Sequence, residues 1–153
     1  MTTLASKSND LMDVSPAQER ALEQRLRAAG LRMTRPRILL AHLLFRHGDR
    51  HLTAEMLYGE AQVEGLEVSL ATVYNTLNQF LEVGLLRQVV VDSTRSYFDT
   101  NLGGHHHFFV ESTGELIDVP SQAIKINDLP KAPEGFDMSG VDIVLRLTPK
   151  VTD

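Results

Sequence analysis

The stretch from Ser69 to Leu81 constrains the fold more than any other part of the sequence. Its apolar residues recur every three or four positions, which predicts an amphipathic helix. Ser69 is suited to cap the start of this helix, and Gly84 is suited to end it. The face opposite the apolar stripe carries only uncharged polar side chains, namely Ser69, Thr72, Asn75, Thr76 and Gln79. This pattern fits either an ordinary polar surface helix or a helix that approaches phosphates and base edges without charge repulsion.

Charge is distributed unevenly along the chain, whose formal net charge is −5. Residues 19–50 hold eight arginines against three acids, a balance of +5, whereas residues 101–153 hold four basic residues against eight acids, a balance of −4. This polarity favours a basic binding module joined to an acidic one. The chain has no cysteine. That absence excludes disulfides, thiolate zinc sites and cysteine nucleophiles, and it fits the cytoplasmic location that we expect.

Capping and stop residues divide the first hundred positions into a tail and four predicted helices. Residues 1–14 are polar and aperiodic, and we expect them to form a disordered tail. Ser15, Thr34 and Thr53 are the predicted caps of the first three helices. The apolar residues expected to face inward from these helices are Leu22, Leu26, Ala29, Leu39, Leu40, Leu43, Leu44, Met56, Leu57 and Ala61. The stretch that begins at Ser69 supplies the fourth helix.

After Gly84 the pattern changes from helical spacing to short β-branched runs. Residues 86–91 and 96–100 are predicted strands around a turn at residues 92–95. Three helices, a polar-faced fourth helix and a β-hairpin together predict a winged helix-turn-helix domain over residues 15–100. In that plan the fourth helix lies in the major groove of DNA and the hairpin contacts the backbone.

A second, smaller domain is predicted over residues 105–153, after a hinge at residues 101–104. Strands are expected at residues 105–111, 116–119 and 141–147, with a loop-rich segment containing one weak helical turn at 120–140. Because roughly fifty residues bury little apolar core by themselves, we expect this domain to pair with a second copy of itself. The predicted fold class is therefore α+β, with an N-terminal winged helix-turn-helix DNA-binding domain followed by a small α/β dimerisation domain.

The triplet His105, His106 and His107 is the sharpest local signal of chemistry. On a strand, His105 and His107 point to one face and His106 to the other. A turn at residues 112–113 places His107 opposite Asp118, and a turn one residue later keeps Asp118 on the same face. Two imidazoles and a carboxylate are a plausible coordination shell for iron, zinc or manganese. The alternatives are an exposed polar strand for the triplet and a satisfied core residue for His106.

Other polar residues carry no pattern of their own. Taken singly, Asp99 and His51 are predicted to be an exposed carboxylate and a loop histidine, and His42 and His47 to be surface residues. Three arginines cluster around the start of the second helix, where they either contact DNA phosphates or a minor groove or are simply solvated. They are Arg32, Arg35 and Arg37. We find no phosphate-cradling glycine loop, no nucleophile elbow and no HExxH motif, so the sequence carries no enzyme signature.

Three motifs resemble the ferric uptake regulator (Fur) superfamily. They are GLRMTRPR at residues 30–37, HLTAE at 51–55 and VSLATVYNTLNQF at 68–80. Four further motifs resemble most closely its iron response regulator (Irr) subfamily. They are YFDTN at residues 97–101, HHHFFVE at 105–111, LPKAPEG at 129–135 and VDIVLRL at 141–147. The resemblance covers about residues 20–150.

The resemblance implies an iron- and haem-responsive transcriptional regulator that binds palindromic operator DNA as a homodimer and controls haem-synthesis and iron-homeostasis genes. The residues expected to contact DNA are Arg32, Arg35, Ser69, Thr72, Tyr74 and Asn75. The family's regulatory divalent metal site (iron, zinc or manganese) maps onto His51, Asp99, His105, His107 and Asp118. Haem, as a regulatory ligand that inactivates the protein, is expected at His105, His106 and His107.

The chain departs from the family pattern at several positions. Val110 and Thr113 stand where the first pair of zinc-binding cysteines usually falls, which excludes a thiolate zinc site. Gly104 stands where many Fur proteins have a further metal-site histidine. A second metal site in this chain would therefore lack that ligand. Without a cysteine, any haem response must depend on histidine ligation.

Two other functions remain possible from the sequence. One is an ordinary metal-corepressed Fur-type repressor, responding to iron, zinc or manganese without a haem role. The other is a small metalloenzyme that uses His105, His107 and Asp118 with an open coordination position. The second lacks any general base of recognisable spacing.

Overall fold

The computed structural model describes residues 15–152 of the chain. The tail predicted at residues 1–14 lies outside the described residues. The chain divides into two compact units, the first ending at Leu102 and the second beginning at Gly103. None of the described helices combines the length and the apolar character needed to cross a membrane.

The first unit contains the four predicted helices: α1 (Pro16–Ala28), α2 (Arg35–Phe45), α3 (Ala54–Val63) and α4 (Leu70–Glu82). Side-chain caps determine where three of them begin. The backbone N–H of Gln18 donates to Ser15 Oγ, and the backbone N–H of Ser15 donates to Gln18 Oε1, which together form a capping box. Thr53 and Ser69 cap α3 and α4 through their hydroxyl oxygens. Thr34 occupies the corresponding position before α2, but its side chain makes no capping hydrogen bond.

All four helices contribute to one apolar core. Its fully buried members include Leu26, Leu40, Leu43, Leu44, Leu57, Ala61, Val73, Leu77 and Phe80. The apolar stripe predicted for the stretch 69–81 is therefore buried. At the end of α4 the chain reverses through Gly84, whose φ of +77° is the left-handed conformation that glycine adopts without strain.

In these helices, three predictions of whether a side chain is buried or exposed are wrong. Met56 is 48% exposed, because it lies on the side of α3 away from the buried Leu57 and Ala61. Thr76 is buried, because it follows Val73 by three residues and therefore shares the apolar face of α4. His42 is also buried, because α2 packs against α1, α3 and α4 and leaves little of its own surface exposed.

Three short antiparallel strands complete the first unit, in the order β1-β3-β2: β1 (His51–Leu52), β2 (Arg87–Val90) and β3 (Ser96–Asp99). β2 and β3 form the predicted hairpin. Its turn is fixed by Asp92, whose Oδ1 accepts hydrogen bonds from the backbone N–H groups of Thr94 and Arg95, each at 2.9 Å. β1 was not predicted from the sequence, because two residues show no periodicity. The four helices and the hairpin confirm the winged helix-turn-helix architecture.

The second unit is a three-stranded sheet in the order β5-β4-β6: β4 (His105–Val110), β5 (Leu116–Pro120) and β6 (Val144–Leu147). β4 and β5 are antiparallel, and His107 is paired with Asp118, the first of the two predicted registers. β6 runs parallel to β4 and begins three residues later than predicted. A single 3₁₀ turn at Ser121–Ala123 corresponds to the weak helical turn expected in the loop-rich segment. The whole chain is α+β, as the sequence predicts.

Candidate functional site

The exposed surface of α4 presents fewer free groups than its sequence suggests. The Ser69 hydroxyl accepts a hydrogen bond from the backbone N–H of Thr72 at 3.1 Å and lies 2.9 Å from the Thr72 hydroxyl, so these two side chains already satisfy each other. Tyr74 and Asn75 both project into solvent, and Tyr74 is 39% exposed. These two residues, like the exposed Asn78, are therefore accessible to a ligand.

A carboxylate that the sequence analysis did not single out holds the Tyr74 side chain. The Tyr74 hydroxyl donates a hydrogen bond of 2.5 Å to Glu55 Oε1 on the first turn of α3. This bond is the main reason why the pKa of Glu55 is lowered and the pKa of Tyr74 is raised from their ordinary values. Glu55 lies within the HLTAE motif, but no spacing in the sequence links it to position 74.

The three clustered arginines divide into two roles. Arg32 and Arg35 are exposed and available to a partner. Arg37 instead donates from Nε to Gln79 Oε1 at 2.9 Å and from Nη1 to the backbone carbonyl of Arg32 at 2.8 Å. Arg37 thus links the segment before α2 to α4. Its hydrogen bond engages the side chain of Gln79, which the sequence placed on the free polar face.

In the first unit, β1 and β3 bring a histidine and an aspartate together. His51 pairs directly with Asp99 in the strand register, and His51 Nε2 lies 3.3 Å from Asp99 Oδ2. Asp99 is fully buried, and its Oδ1 accepts a hydrogen bond of 2.9 Å from the backbone N–H of Asn101. The predictions of a loop histidine and an exposed carboxylate are therefore wrong, because each residue was considered without its strand partner.

In the second unit, Asp118 lies between two imidazoles of β4. His105 Nε2 is 3.3 Å and His107 Nε2 is 3.4 Å from Asp118 Oδ1. The His105 Nδ1–H donates to the backbone carbonyl of Gly103 at 2.5 Å, which leaves the lone pair of a neutral His105 Nε2 directed at the carboxylate. Two electron-rich atoms that face each other at this distance are stabilised by a shared cation, either a proton or a metal ion.

These donor sets fit a divalent metal ion. Two ligand atoms that each lie about 2.1 Å from a five-coordinate metal ion are about 3.0 Å apart at a right angle and about 3.6 Å apart at 120°. The measured separations of 3.3, 3.3 and 3.4 Å fall within this range. Imidazole nitrogens combined with carboxylate oxygens suit zinc, iron and manganese.

His106 has a different environment from its two neighbours. Its Nδ1 accepts a hydrogen bond of 3.2 Å from the backbone N–H of Ile143, on the segment that leads into β6. This bond takes the Ile143 N–H away from the strand ladder, and β6 accordingly begins only at Val144. Of the two roles considered for His106, that of a satisfied interior residue describes the structure.

Comparison with known proteins places this geometry in context. Residues 28–146 match the model of the Ferric uptake regulator family. The chain is 36% identical over 115 residues to the "Ferric uptake regulation protein" of Pseudomonas fluorescens, a match that covers 74% of this chain and 94% of that protein. It is 34% identical over 127 residues to the protein of the same name from Pseudomonas aeruginosa, covering 82% of this chain and 95% of the relative.

A solved structure of the ferric uptake regulator from Pseudomonas aeruginosa with manganese superposes with a TM-score of 0.66 at 30% identity, covering 85% of this chain and 98% of that one. Members of the family are dimeric DNA-binding regulators, which rules out the metalloenzyme considered from the sequence. With its winged helix, its histidine- and aspartate-rich strands and a family match over most of its length, this chain belongs to the ferric uptake regulator family of metal-responsive transcriptional regulators.

Proposed function

We propose that this chain binds palindromic operator DNA as a homodimer and that a divalent metal ion controls this binding. The observation that carries the proposal is the arrangement of two imidazole nitrogens around the Asp118 carboxylate, at separations expected of ligands that share one metal ion. The related ferric uptake regulator from Pseudomonas aeruginosa was solved with manganese, which supports a metal of this class.

We assign the DNA contacts to the N-terminal half of α4 and to the arginines near α2. Tyr74 and Asn75 are exposed polar side chains suited to base edges, and Arg32 and Arg35 supply the positive charge that phosphates attract. Ser69 and Thr72 lie at the start of α4, where the helix dipole favours a phosphate group. Together these six residues form the proposed DNA interface.

We assign the metal ligands to both units. The second unit offers three donors, from His105, His107 and Asp118, and the first unit offers a further pair, from His51 and Asp99. Three donors alone leave coordination positions that two more can fill, and the family resemblance implies that all five residues act together. A metal ion bound by all five would fix the position in which each winged helix is presented to its half-site.

The proposal is tested by measuring operator affinity by fluorescence anisotropy, with and without manganese. The duplex is selected from random palindromic DNA by the manganese-loaded protein. We expect manganese to strengthen binding, Tyr74→Ala or Arg32→Ala to weaken it, and Asp118→Asn to remove only the response to manganese. Glu115→Gln makes the same change of charge on an exposed residue of the second unit and should leave the response intact. Equal affinity of the metal-free and manganese-loaded protein would refute the proposal.

The resemblance to the Irr subfamily supports a finer proposal, in which haem releases the protein from operators of haem-synthesis and iron-homeostasis genes. In a chain without cysteine, the consecutive imidazoles of His105, His106 and His107 are suitable axial ligands for haem. His105 and His107 are also proposed metal ligands, and His106 must release Ile143 before it can ligate haem. Haem and the divalent metal ion should therefore oppose each other, and by linkage this effect is reciprocal.

Titration of haem into the manganese-loaded dimer, followed by the Soret band and by operator anisotropy, tests the finer proposal. We expect haem to bind, to weaken operator binding, and to bind less tightly as manganese is raised. His107→Gln should impair haem binding, whereas His47→Gln, at an exposed histidine outside the triplet, should not. Unchanged operator affinity with haem bound would instead identify an ordinary metal-corepressed Fur-type repressor.

A further inference from the structure

A cavity of about 550 Å³ lies between α1 and α2 in the first unit. Its volume is within the range of small-molecule sites, roughly 300–1,000 Å³. Ala21, Leu22 and Phe45 supply apolar surface. The polar lining residues are Gln18, Arg25, His42, Arg46 and His47. No lining residue is acidic, so the cavity combines an apolar wall with basic groups, of which Arg46 is paired with Glu64 outside the lining.

His42 adds hydrogen-bonding groups to the lining of this cavity. The residue is only 6% exposed, and among residues 15–152 nothing forms a hydrogen bond with its imidazole ring. Its ring nitrogens are not among the buried polar atoms that lack a partner. Because His42 lines the cavity, these nitrogens can hydrogen-bond to a ligand there.

The two arginines determine the charge of that ligand. Arg25 lies over the Phe45 ring, with its guanidinium carbon 4.5 Å from the ring centroid, and has no acidic partner among the described residues. Arg46 pairs with Glu64 through Nη2 at 2.8 Å, but its buried Nε has no hydrogen-bond partner within residues 15–152. A guanidinium stacked on an aromatic ring and a second guanidinium with a free N–H favour a flat organic anion.

We propose that the α1–α2 cavity binds a small aromatic carboxylate or sulfonate. Its ring packs against Ala21 and Leu22, and its anionic group accepts hydrogen bonds from Arg25, His42 and Arg46. None of the residues that line this cavity is a proposed metal ligand or belongs to the proposed DNA interface, so the site does not depend on either proposed role.

The test uses the fluorescent aromatic sulfonate 8-anilinonaphthalene-1-sulfonate as the probe, titrated into the full chain, with benzoate as competitor. We expect one saturable site per chain, displaced by benzoate. Arg25→Gln should weaken probe binding about tenfold, since it removes a charge-assisted contact. Arg27→Gln is the matched control, because Arg27 carries the same charge on the same helix, is exposed and does not line the cavity.

A second variant tests the cavity itself without removing any of its charged residues. Ala21→Trp fills the cavity from an exposed lining position without changing charge, and it should abolish probe binding while circular dichroism remains unchanged. The proposal is overturned if Ala21→Trp still binds the probe, if Arg27→Gln weakens binding as much as Arg25→Gln, or if benzoate does not compete. It is also overturned if binding appears only after residues 1–14 are deleted, since the tail would then be the occupant.

Discussion

Replacement of Asp118 by asparagine is the most direct test of the proposed metal centre. The substitution keeps the shape of the side chain but removes the charge beside two imidazole nitrogens, at 3.3 and 3.4 Å. Because 38% of the Asp118 side chain is exposed, we expect the metal-free protein to change in stability by no more than about 0.5 kcal/mol. The effect should appear only when metal is present.

The expected size of this effect follows from linkage. With manganese at about 100 times its dissociation constant, binding to the native state stabilises it by about 2.7 kcal/mol. Loss even of a group that only supports a ligand weakens metal binding about 10–100-fold, so loss of a direct ligand should reach the upper end of that range. At 100-fold weaker affinity the stabilisation falls to about 0.4 kcal/mol. For a chain of this length, the thermal shift produced by manganese should fall from about 5–11 °C to about 1–2 °C.

Scanning calorimetry with and without manganese measures both shifts, after isothermal titration has determined the dissociation constant of the unmodified protein. Glu115→Gln serves as the control, because it removes a carboxylate charge from an exposed position in the same unit. If Asp118→Asn retains the full thermal shift, or if Glu115→Gln loses as much of it, then Asp118 is not a ligand and the reasoning from its spacing to the imidazoles is wrong.

Three further predictions concern the first unit. Phe80→Ala should lower the free energy of unfolding by about 3–5 kcal/mol in chemical denaturation, because Phe80 is fully buried, whereas Val63→Ala at an 88% exposed site should change it by less than about 0.5 kcal/mol. Arg32→Gln should reduce the slope of log affinity against log salt for operator DNA by about one, and an unchanged slope would exclude a phosphate contact at this residue. Glu55→Gln should lower the pKa of Tyr74 toward its ordinary value, measured by the ultraviolet absorbance of the phenolate against a Tyr74→Phe reference. Because the bond favours ionised Glu55 and protonated Tyr74, its contribution to stability should be lost as pH falls through the folded pKa of Glu55 and as pH rises through that of Tyr74.

Local patterns in the sequence predicted the elements that depend on neighbours along the chain. The cap at Ser69 and the buried stripe of α4 follow from helical spacing, and the placement of His107 and Asp118 on one face follows from a short hairpin in either of two registers, of which the structure has the one that pairs them. The same alternation placed His105 and His107 beside Asp118 and directed His106 elsewhere. Within one helix or one short hairpin, backbone geometry allows few arrangements of the side chains. The sequence pattern was therefore sufficient to predict which residues share a face.

Sequence patterns could not predict contacts between segments that are far apart along the chain. His51 meets Asp99 only because a two-residue strand pairs with β3, and Glu55 meets Tyr74 only because α3 and α4 pack together. Packing on several sides also buried His42, which has the local character of a surface residue.

The sequence by itself therefore determined the order of the four helices and of β2 to β6, most of the polar face of α4, and the placement of His105, His107 and Asp118 on one face of their hairpin. The tertiary structure alone decided which of those polar groups are already bound and which face solvent. The physical reason is that spacing along a helix or strand is fixed by backbone geometry, whereas pairing across the fold depends on which apolar surfaces bury each other.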